Sequence, residues 1–300
     1  MPRPSRQGPA LAIALVLLAI ITIPAALVYL SPRPEHLDTT AELLPAPSTA
    51  ATAAAQLPGT IHWRPAARVR QFTLLDKHWF TIGYDERTKS PAWVLYQLAG
   101  PITHPGPEPT RPATFATDFA TAAHVSHRDY SGSGFDRGHM CPAYAMWSRG
   151  GADAFMATFI CSNIIPQPHQ VNAGIWEELE TDIAGRWSSH GGQPSGGGWA
   201  ERFGEATVIN GPIYSGMPRT LRNGTTIPVT DFSVVIRHDG GHYQALAFEI
   251  PNVGDPRGPL DRYIVTIKQV EDDSGLDLFA GEADTLRAEM ENAHASALWH

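Results

Sequence analysis

Four adjacent residues, Asp136, Arg137, Gly138 and His139, place an acid, a cation and an imidazole one residue after the glycine-rich run SGSG. Glycines allow tight turns at low steric cost, so such a run can bend the chain sharply before these side chains. A histidine with an ordinary pKa of about 6.5 is largely neutral near pH 7 and can accept a proton from water. The stretch is a candidate for general base chemistry, and a plain turn between two elements is the alternative.

A second polar series lies downstream, in CSNIIPQPHQVNAGIWEELE at 161–180. Asn172 and Glu180 are about two helical turns apart, so both can face one side of a helix. Magnesium keeps several waters and accepts few protein ligands, so one amide oxygen and one carboxylate are chemically sufficient for it. The alternative for Asn172 is an ordinary helix N-cap, a role that asparagine often fills.

These blocks carry a family resemblance. The segments DYSGSGFDRGHM, SNIIPQ, NAGIWEELE, VINGPIY, FEIPN and VEDDSGLDLFAG occur in this order. Together they resemble the sugar-nonspecific DNA/RNA endonucleases with a ββα-metal (His-Me finger) active site, the group that includes endonuclease G. The resemblance covers roughly residues 62–285. It implies a ββα-metal fold, hydrolysis of DNA and RNA, and Mg²⁺ as the cofactor, with Mn²⁺ as a substitute.

The resemblance also implies roles for individual residues. His139 would be the general base, Asn172 the direct metal ligand and Glu180 the holder of metal-bound water. Asn163 would orient His139 or the bound phosphate, and Arg137 would lie near the phosphate or brace the site.

Two positions depart from the family pattern. Family members often carry an arginine one turn after the helix glutamate, where this chain has Ala184. A second family arginine is replaced by Lys89, which would bind substrate as a point charge without the bidentate fork of a guanidinium. Arg149 and Arg202 are candidates to compensate, and an ordinary surface charge is the alternative for each.

The remaining patterns predict an α+β arrangement, a central antiparallel or mixed sheet flanked by a few helices. Apolar periodicity predicts a helix over 172–187, and a second helix is expected over 283–298. Segments rich in β-branched and aromatic residues predict strands at 72–85, 93–98, 206–214, 232–238 and 243–251.

The N-terminal part has a different composition. Residues 1–8 carry two arginines, 9–30 form an uncharged apolar run, and 31–59 are rich in Pro, Ala and Thr. The run is long enough to cross a hydrocarbon layer of about 30 Å, and the preceding arginines favour a cytoplasmic N-terminus. We expect a transmembrane anchor or uncleaved signal, a disordered linker, and a catalytic domain over 60–300 outside the cytoplasm. A cleaved signal peptide, which would yield a secreted enzyme, is the alternative.

Charge and cysteine content limit the remaining choices. The formal net charge of −8 provides no broad basic surface for nucleic acid and counts against a pure binding module. Cys141 and Cys161 could form a disulfide or remain two buried thiols.

Together, the family resemblance and the apolar N-terminal run predict a magnesium-dependent endonuclease, with DNA and RNA as substrates and the membrane as a partner through 9–30. An inhibitor protein and an oligomeric state stay open. The alternatives are a catalytically weak surface module that captures nucleic acid and a hydrolase of another phosphodiester.

Overall fold

A seven-stranded antiparallel sheet forms the centre of the protein. The structure is a computed structural model that describes residues 61–64, 71–187, 194–195, 198–214, 216–239, 242–280, 284–292 and 297–299. In chain order the strands are β1 (His62–Trp63), β2 (Thr73–Asp76), β3 (Phe80–Asp85), β4 (Ser90–Ala99), β5 (Asp136–His139), β6 (Ile164–Gln167), β7 (Arg186–Trp187), β8 (Pro194–Ser195), β9 (Glu205–Ile213), β10 (Thr230–Asp239), β11 (His242–Pro251), β12 (Ile264–Val265) and β13 (Leu276–Asp277). The large sheet has the order β12-β11-β10-β9-β4-β3-β2, and β5 pairs with β6 in a separate two-stranded sheet.

The large sheet is covered on both faces, because successive residues of its central strands alternate between two apolar clusters. On β4, Val94 and Tyr96 belong to one cluster, whereas Trp93 and Leu95 belong to the other. Side chains of a strand point alternately to opposite faces, so strands apolar at nearly every position must be buried on both sides.

Five helices complete these layers within the described residues. They are α1 (Ala143–Ala157), α2 (Trp176–Ala184), α3 (Trp199–Arg202), α4 (Ile267–Ser274) and α5 (Asp284–Asn292). Helices α1, α2 and α3 contribute to the cluster that contains Tyr96, and α4 and α5 contribute to the cluster that contains Trp93. The predicted α+β arrangement, an antiparallel sheet flanked by a few helices, is confirmed.

The DRGH segment is strand β5, and its glycine is required by close packing. Gly138 pairs with Ile165 of β6, and a Cβ added at Gly138 would lie 1.8 Å from Oε1 of Gln167. Any larger residue would therefore displace the Gln167 amide, which donates to Asp231 of the large sheet. The two-stranded β5–β6 sheet thus connects the candidate base, His139, to the central sheet.

Three predicted elements have different bounds in the structure. The segment 72–85 is not one strand, because β2 and β3 form a hairpin around His78, which has a φ of 67°. The helix predicted over 172–187 begins as a π-helical turn at Val171–Ile175 and ends at Ala184, since Gly185 has a φ of 78°. The helix predicted over 283–298 is observed as Asp284–Asn292, and 293–296 lie outside the described residues.

The two cysteines are both buried free thiols, so the structure shows no disulfide between Cys141 and Cys161. Within the described ranges, no helix has the length and apolar character needed to span a bilayer. The predicted anchor at 9–30 and linker at 31–59 lie outside the described residues.

Candidate active site

A cavity of about 830 Å³ lies where strand β5, the start of α1, helix α2 and the loop before Phe115 meet. Four of the residues predicted from the sequence line it. They are Arg137, His139, Asn172 and Glu180. The structure therefore brings together residues that are up to 43 positions apart in the chain, from 137 to 180.

His139 is held at the end of β5 between two aromatic rings. Its ring centroid is 5.1 Å from that of Phe115 and 5.1 Å from that of Phe159. Burial and the nearby positive charge of Arg111 lower the pKa of His139 to about 3. Nε2 is buried, and no described residue forms a hydrogen bond with it. The imidazole is thus neutral over the ordinary pH range, and the negative charge of a bound phosphate would raise this pKa towards that of an effective base.

Asn172 is oriented by a carboxylate. Oδ2 of Asp136 accepts a hydrogen bond from Nδ2 of Asn172 at 3.1 Å and pairs with Nδ1 of His169 at 2.8 Å. Because the amide nitrogen contacts Asp136, the oxygen Oδ1 remains as the acceptor, an assignment that rests on this hydrogen-bond network. Asn172 lies inside the π-helical turn and does not cap a helix, so the N-cap alternative is not observed.

Glu180 lies in an environment that disfavours its charge. Burial, and then the negative charge of Glu177, raise its pKa to about 8, and Arg111 opposes this shift. Without a further positive charge the carboxyl is therefore largely protonated at pH 7. A divalent cation nearby would favour the ionised form, as expected for a carboxylate in a metal site.

Arg137 is braced against the loop that precedes it. Its Nη2 donates to the carbonyl oxygen of His127 at 2.7 Å, and Cζ lies 5.6 Å from the centroid of the Tyr130 ring. Its Nε is buried, and none of the described residues accepts a hydrogen bond from it. The guanidinium is therefore fixed at the cavity wall with donor capacity left over.

Two predicted site residues do not line the cavity. Asn163 is fully buried, where Oδ1 accepts from the backbone N–H of Cys141 and Nδ2 donates to the carbonyls of Cys141 and Thr158. It therefore holds the chain just after His139, so any effect on the base is indirect. Lys89 lies in the turn between β3 and β4, and its Nζ donates to the carbonyl oxygen of Asn223.

The two arginines that were candidates to compensate for Ala184 make their contacts outside the cavity. Arg149 donates from Nη1 to the Ala184 carbonyl at 2.9 Å, behind the cavity wall, and Arg202 lies over the ring of Phe203. Neither arginine is among the cavity-lining residues of the described chain.

A second arginine that lines the cavity, besides Arg137, is Arg111, which pairs with Glu108 at 2.6 Å. Arg111 was not predicted from the sequence, because a loop arginine between Thr110 and Pro112 belongs to no periodic pattern. Its charge nevertheless affects both His139 and Glu180.

The chain is similar in sequence to known nucleases. The sequence model of the DNA/RNA non-specific endonuclease family matches residues 67–285. Human mitochondrial Endonuclease G is 31% identical over 217 residues, which cover 66% of each chain. The mitochondrial nuclease EXOG of Xenopus laevis is 27% identical over 229 residues, 66% of this chain and 56% of that protein. The chain thus spans somewhat less than two thirds of the length of these relatives.

A structural comparison gives the same architecture. The crystal structure of the EndoG/EndoGI complex, which describes the mechanism of EndoG inhibition, matches with a TM-score of 0.56 at 20% identity. The match covers 71% of this chain and 87% of that one. At this identity the similarity establishes the fold.

Proposed function

The chain belongs to the DNA/RNA non-specific endonuclease family, as its sequence blocks predicted, and we propose that its cavity hydrolyses phosphodiester bonds of DNA and RNA without sequence preference. One observation carries the proposal. A neutral imidazole, His139, lines the same cavity as an oriented amide oxygen, Asn172, and a half-buried carboxyl, Glu180. That combination provides a proton acceptor beside ligands suited to a hard cation.

The residues fit a metal site of the sparse kind that Mg²⁺ uses. Asn172 would hold the ion through Oδ1, and Glu180 would hold it directly or through bound water. Across the described residues, no group of three or more His, Cys, Asp or Glu side chains is arranged to hold a metal. When bound, the cation would neutralise charge on the phosphate and on the departing oxygen. We propose Mg²⁺, with Mn²⁺ as a substitute, and we assign the β5, β6 and α2 arrangement to the ββα-metal fold.

The protein side chains would supply the remaining steps. His139 would remove the proton from the attacking water, a contribution typically worth about 10² to 10⁴ in rate. Arg111 and Arg137 would stabilise the negative charge that grows on the phosphate oxygens. Asn163 would act by holding the backbone after His139, and a role for Lys89 in substrate binding would have to lie outside the cavity.

Further proposals concern the setting of the enzyme. The apolar run at 9–30 supports a membrane anchor or uncleaved signal, with the catalytic domain outside the cytoplasm. An inhibitor protein is also proposed, and the similarity to a complex of EndoG with EndoGI supports a search for one.

The test is an incubation of the full-length protein with plasmid DNA and with RNA, in Mg²⁺ or in EDTA. We expect both polymers to be degraded in Mg²⁺ only, and His139→Ala to lose about 10²-fold or more of the rate. His124→Asn, a change at an exposed histidine away from the cavity, serves as the control. Binding without cleavage would favour the capture module. Cleavage of small diesters but not of polymers would favour the other phosphodiesterase. Full activity of His139→Ala would exclude the proposed base.

A further inference from the structure

A second histidine lines the cavity, and the proposed chemistry leaves it without a role. His127 begins a 3₁₀ turn, His127–Tyr130, and shares the cavity wall with His139. Its sequence context, SHRDY, contains no pattern that separates it from a solvated loop histidine. The reasons to assign it a function are all structural.

Two contacts fix the ring of His127. The backbone N–H of Phe115 donates to Nδ1 at 3.2 Å, and the Phe115 ring stacks on the imidazole with an interplanar angle of 22°. Because Nδ1 accepts this hydrogen bond, a neutral ring must carry its proton on Nε2. The structure therefore selects one tautomer, with an N–H donor at the end of the ring away from Phe115.

The charge of the ring is limited by the same surroundings. Burial and the nearby Arg137 guanidinium both lower the pKa of His127. Both causes favour the neutral ring, which offers an N–H donor rather than a positive charge. No described residue accepts a hydrogen bond from Nε2.

His127 is also connected to the proposed catalytic groups. Its carbonyl oxygen accepts from Arg137, and Phe115, which stacks on His127, also contacts the His139 ring at 5.1 Å. One residue thus holds an arginine of the cavity wall through its backbone and itself lines the same cavity. An acceptor oxygen on the substrate is the partner that would complete this arrangement.

We propose that His127 binds substrate by donating from Nε2 to a non-bridging oxygen of a phosphodiester, an inference that rests on the proposed nuclease function. The phosphate is the fitting acceptor because the same wall presents the cations Arg111 and Arg137. A contact to phosphate is independent of base identity, in accord with cleavage without sequence preference.

The first test compares two substitutions. His127→Phe keeps an aromatic ring on Phe115 but removes both nitrogens, and we expect kcat/KM for a short DNA substrate to fall about 10- to 100-fold, the usual cost of losing a hydrogen bond to a charged group. His127→Gln keeps an N–H donor near the Nε2 position and should retain clearly more activity than His127→Phe. The control is His124→Asn, an exposed position three residues upstream. Equal losses in the Phe and Gln variants would overturn the proposal.

The second test separates substrate contact from structural support. A short substrate carries a single sulfur in place of one non-bridging oxygen, because sulfur accepts hydrogen bonds weakly. For one of the two stereoisomers, the replacement should cost the wild type several-fold more than it costs His127→Phe. The same cost in both proteins would show that His127 does not contact the phosphate.

Binding of an oligonucleotide in EDTA distinguishes the failure of this inference from the failure of the proposed function. If the wild type does not cleave, but binds the oligonucleotide more tightly than His127→Phe does, the contact is supported and the nuclease proposal fails. If both proteins bind the oligonucleotide equally but the wild type cleaves it much faster than His127→Phe does, the nuclease proposal is supported. The His127 contact then contributes to cleavage rather than to binding. Equal binding combined with equal cleavage would refute the role of His127.

Discussion

At the scale of single residues, the site depends on orientation rather than on residue type alone. An asparagine amide presents either a donor or an acceptor to a cavity, and the Asp136 carboxylate decides which by accepting a hydrogen bond from Nδ2 of Asn172. A carboxylate in this position therefore selects for a cation next to Asn172. Glu180, in contrast, is not held in its ligand form by a neighbouring residue. Because burial raises the pKa of its carboxyl, the group ionises at neutral pH only when a positive charge lies nearby.

Replacing Asp136 with asparagine should weaken cation binding. The new amide could donate to Oδ1 of Asn172 and turn the oxygen away from its role as a ligand. Changes to such supporting residues typically cost about 10- to 100-fold in metal affinity. Titration with Mn²⁺, followed by electron paramagnetic resonance, measures the change. His169→Ala removes the other partner of the same carboxylate oxygen and should have a much smaller effect. Unchanged Mn²⁺ affinity in Asp136→Asn would contradict the orienting role.

Metal affinity should also rise with pH. With the pKa of Glu180 raised to about 8, a cation that binds the carboxylate below this pH must displace a proton. The apparent affinity for Mn²⁺ should therefore increase by up to about tenfold per pH unit between pH 6 and 8, and then level off. Calorimetric titrations across this range measure it. Glu180→Gln has no proton to lose, so its weaker affinity should vary little with pH; a slope equal to that of the wild type would rule out Glu180 as the group responsible.

At the scale of elements, periodicity and motif order predicted most of the framework, and local backbone geometry explains the rest. The predicted strands correspond to strands of the large sheet, and Trp176, Leu179 and Ile183 are buried as the helix pattern required. The π-helical turn before α2 could not be predicted, because it depends on backbone angles at Gly174 that leave no trace in apolar spacing. Helix α1 was also missed, since Gly150 and Gly151 interrupt its pattern.

Four of the candidate site residues could be predicted from the sequence to lie together. His139, Arg137, Asn172 and Glu180 lie on two neighbouring elements whose sequence blocks are distinctive, and the structure places all four in the cavity. Arg111 could not be found in this way, because it reaches the cavity from a loop whose path is set by tertiary packing.

Substitution of Gly138 by alanine should destabilise the two-stranded β5–β6 sheet that carries His139. The added methyl group would overlap the Gln167 side chain, and overpacking of this kind costs about 1 to 3 kcal/mol in the free energy of unfolding. Urea denaturation measures the loss. Gly216→Ala, at a glycine with no atom near its Cβ position, should be close to neutral.

A double substitution identifies the cause. If the clash with Gln167 is responsible, Gly138→Ala should cost less in a Gln167→Ala background than in the wild type. Additive effects of the two substitutions would show that the strain arises elsewhere.

At the scale of the whole molecule, the site is attached to the large sheet by buried polar contacts. Gln167 of β6 donates to Asp231 of β10, Asn252 donates to the carbonyl of Pro166, and Asn210 of β9 donates to the carbonyl of Met140. Such contacts are directional, so they fix the two-stranded β5–β6 sheet relative to the large sheet more closely than apolar packing would. The position of His139 thus depends on residues that do not line the cavity.

Reducing agents should leave the fold unchanged. Cys141 and Cys161 are separate buried thiols, and burial raises the pKa of both, so neither is readily converted to the reactive thiolate. The melting temperature should be the same with and without dithiothreitol, and Cys161→Ser should not alter this insensitivity. A reductant-dependent drop of several degrees would indicate a disulfide instead.

The buried Asp231 carboxyl should make the protein less stable as pH rises. Burial raises its pKa to about 8, against about 3.9 for an unfolded chain, and the Gln167 hydrogen bond offsets only part of this shift. The folded state therefore keeps a proton that the unfolded state has lost, so this group lowers the free energy of unfolding by up to about 1.4 kcal/mol per pH unit between pH 4 and 8.

Asp231→Asn keeps a polar side chain without this titration, and its stability relative to the wild type should increase across that range in urea denaturation. Asp255→Asn, at an exposed aspartate, should show no comparable trend. Parallel stability curves for Asp231→Asn and the wild type would mean that Asp231 is ionised in the folded protein.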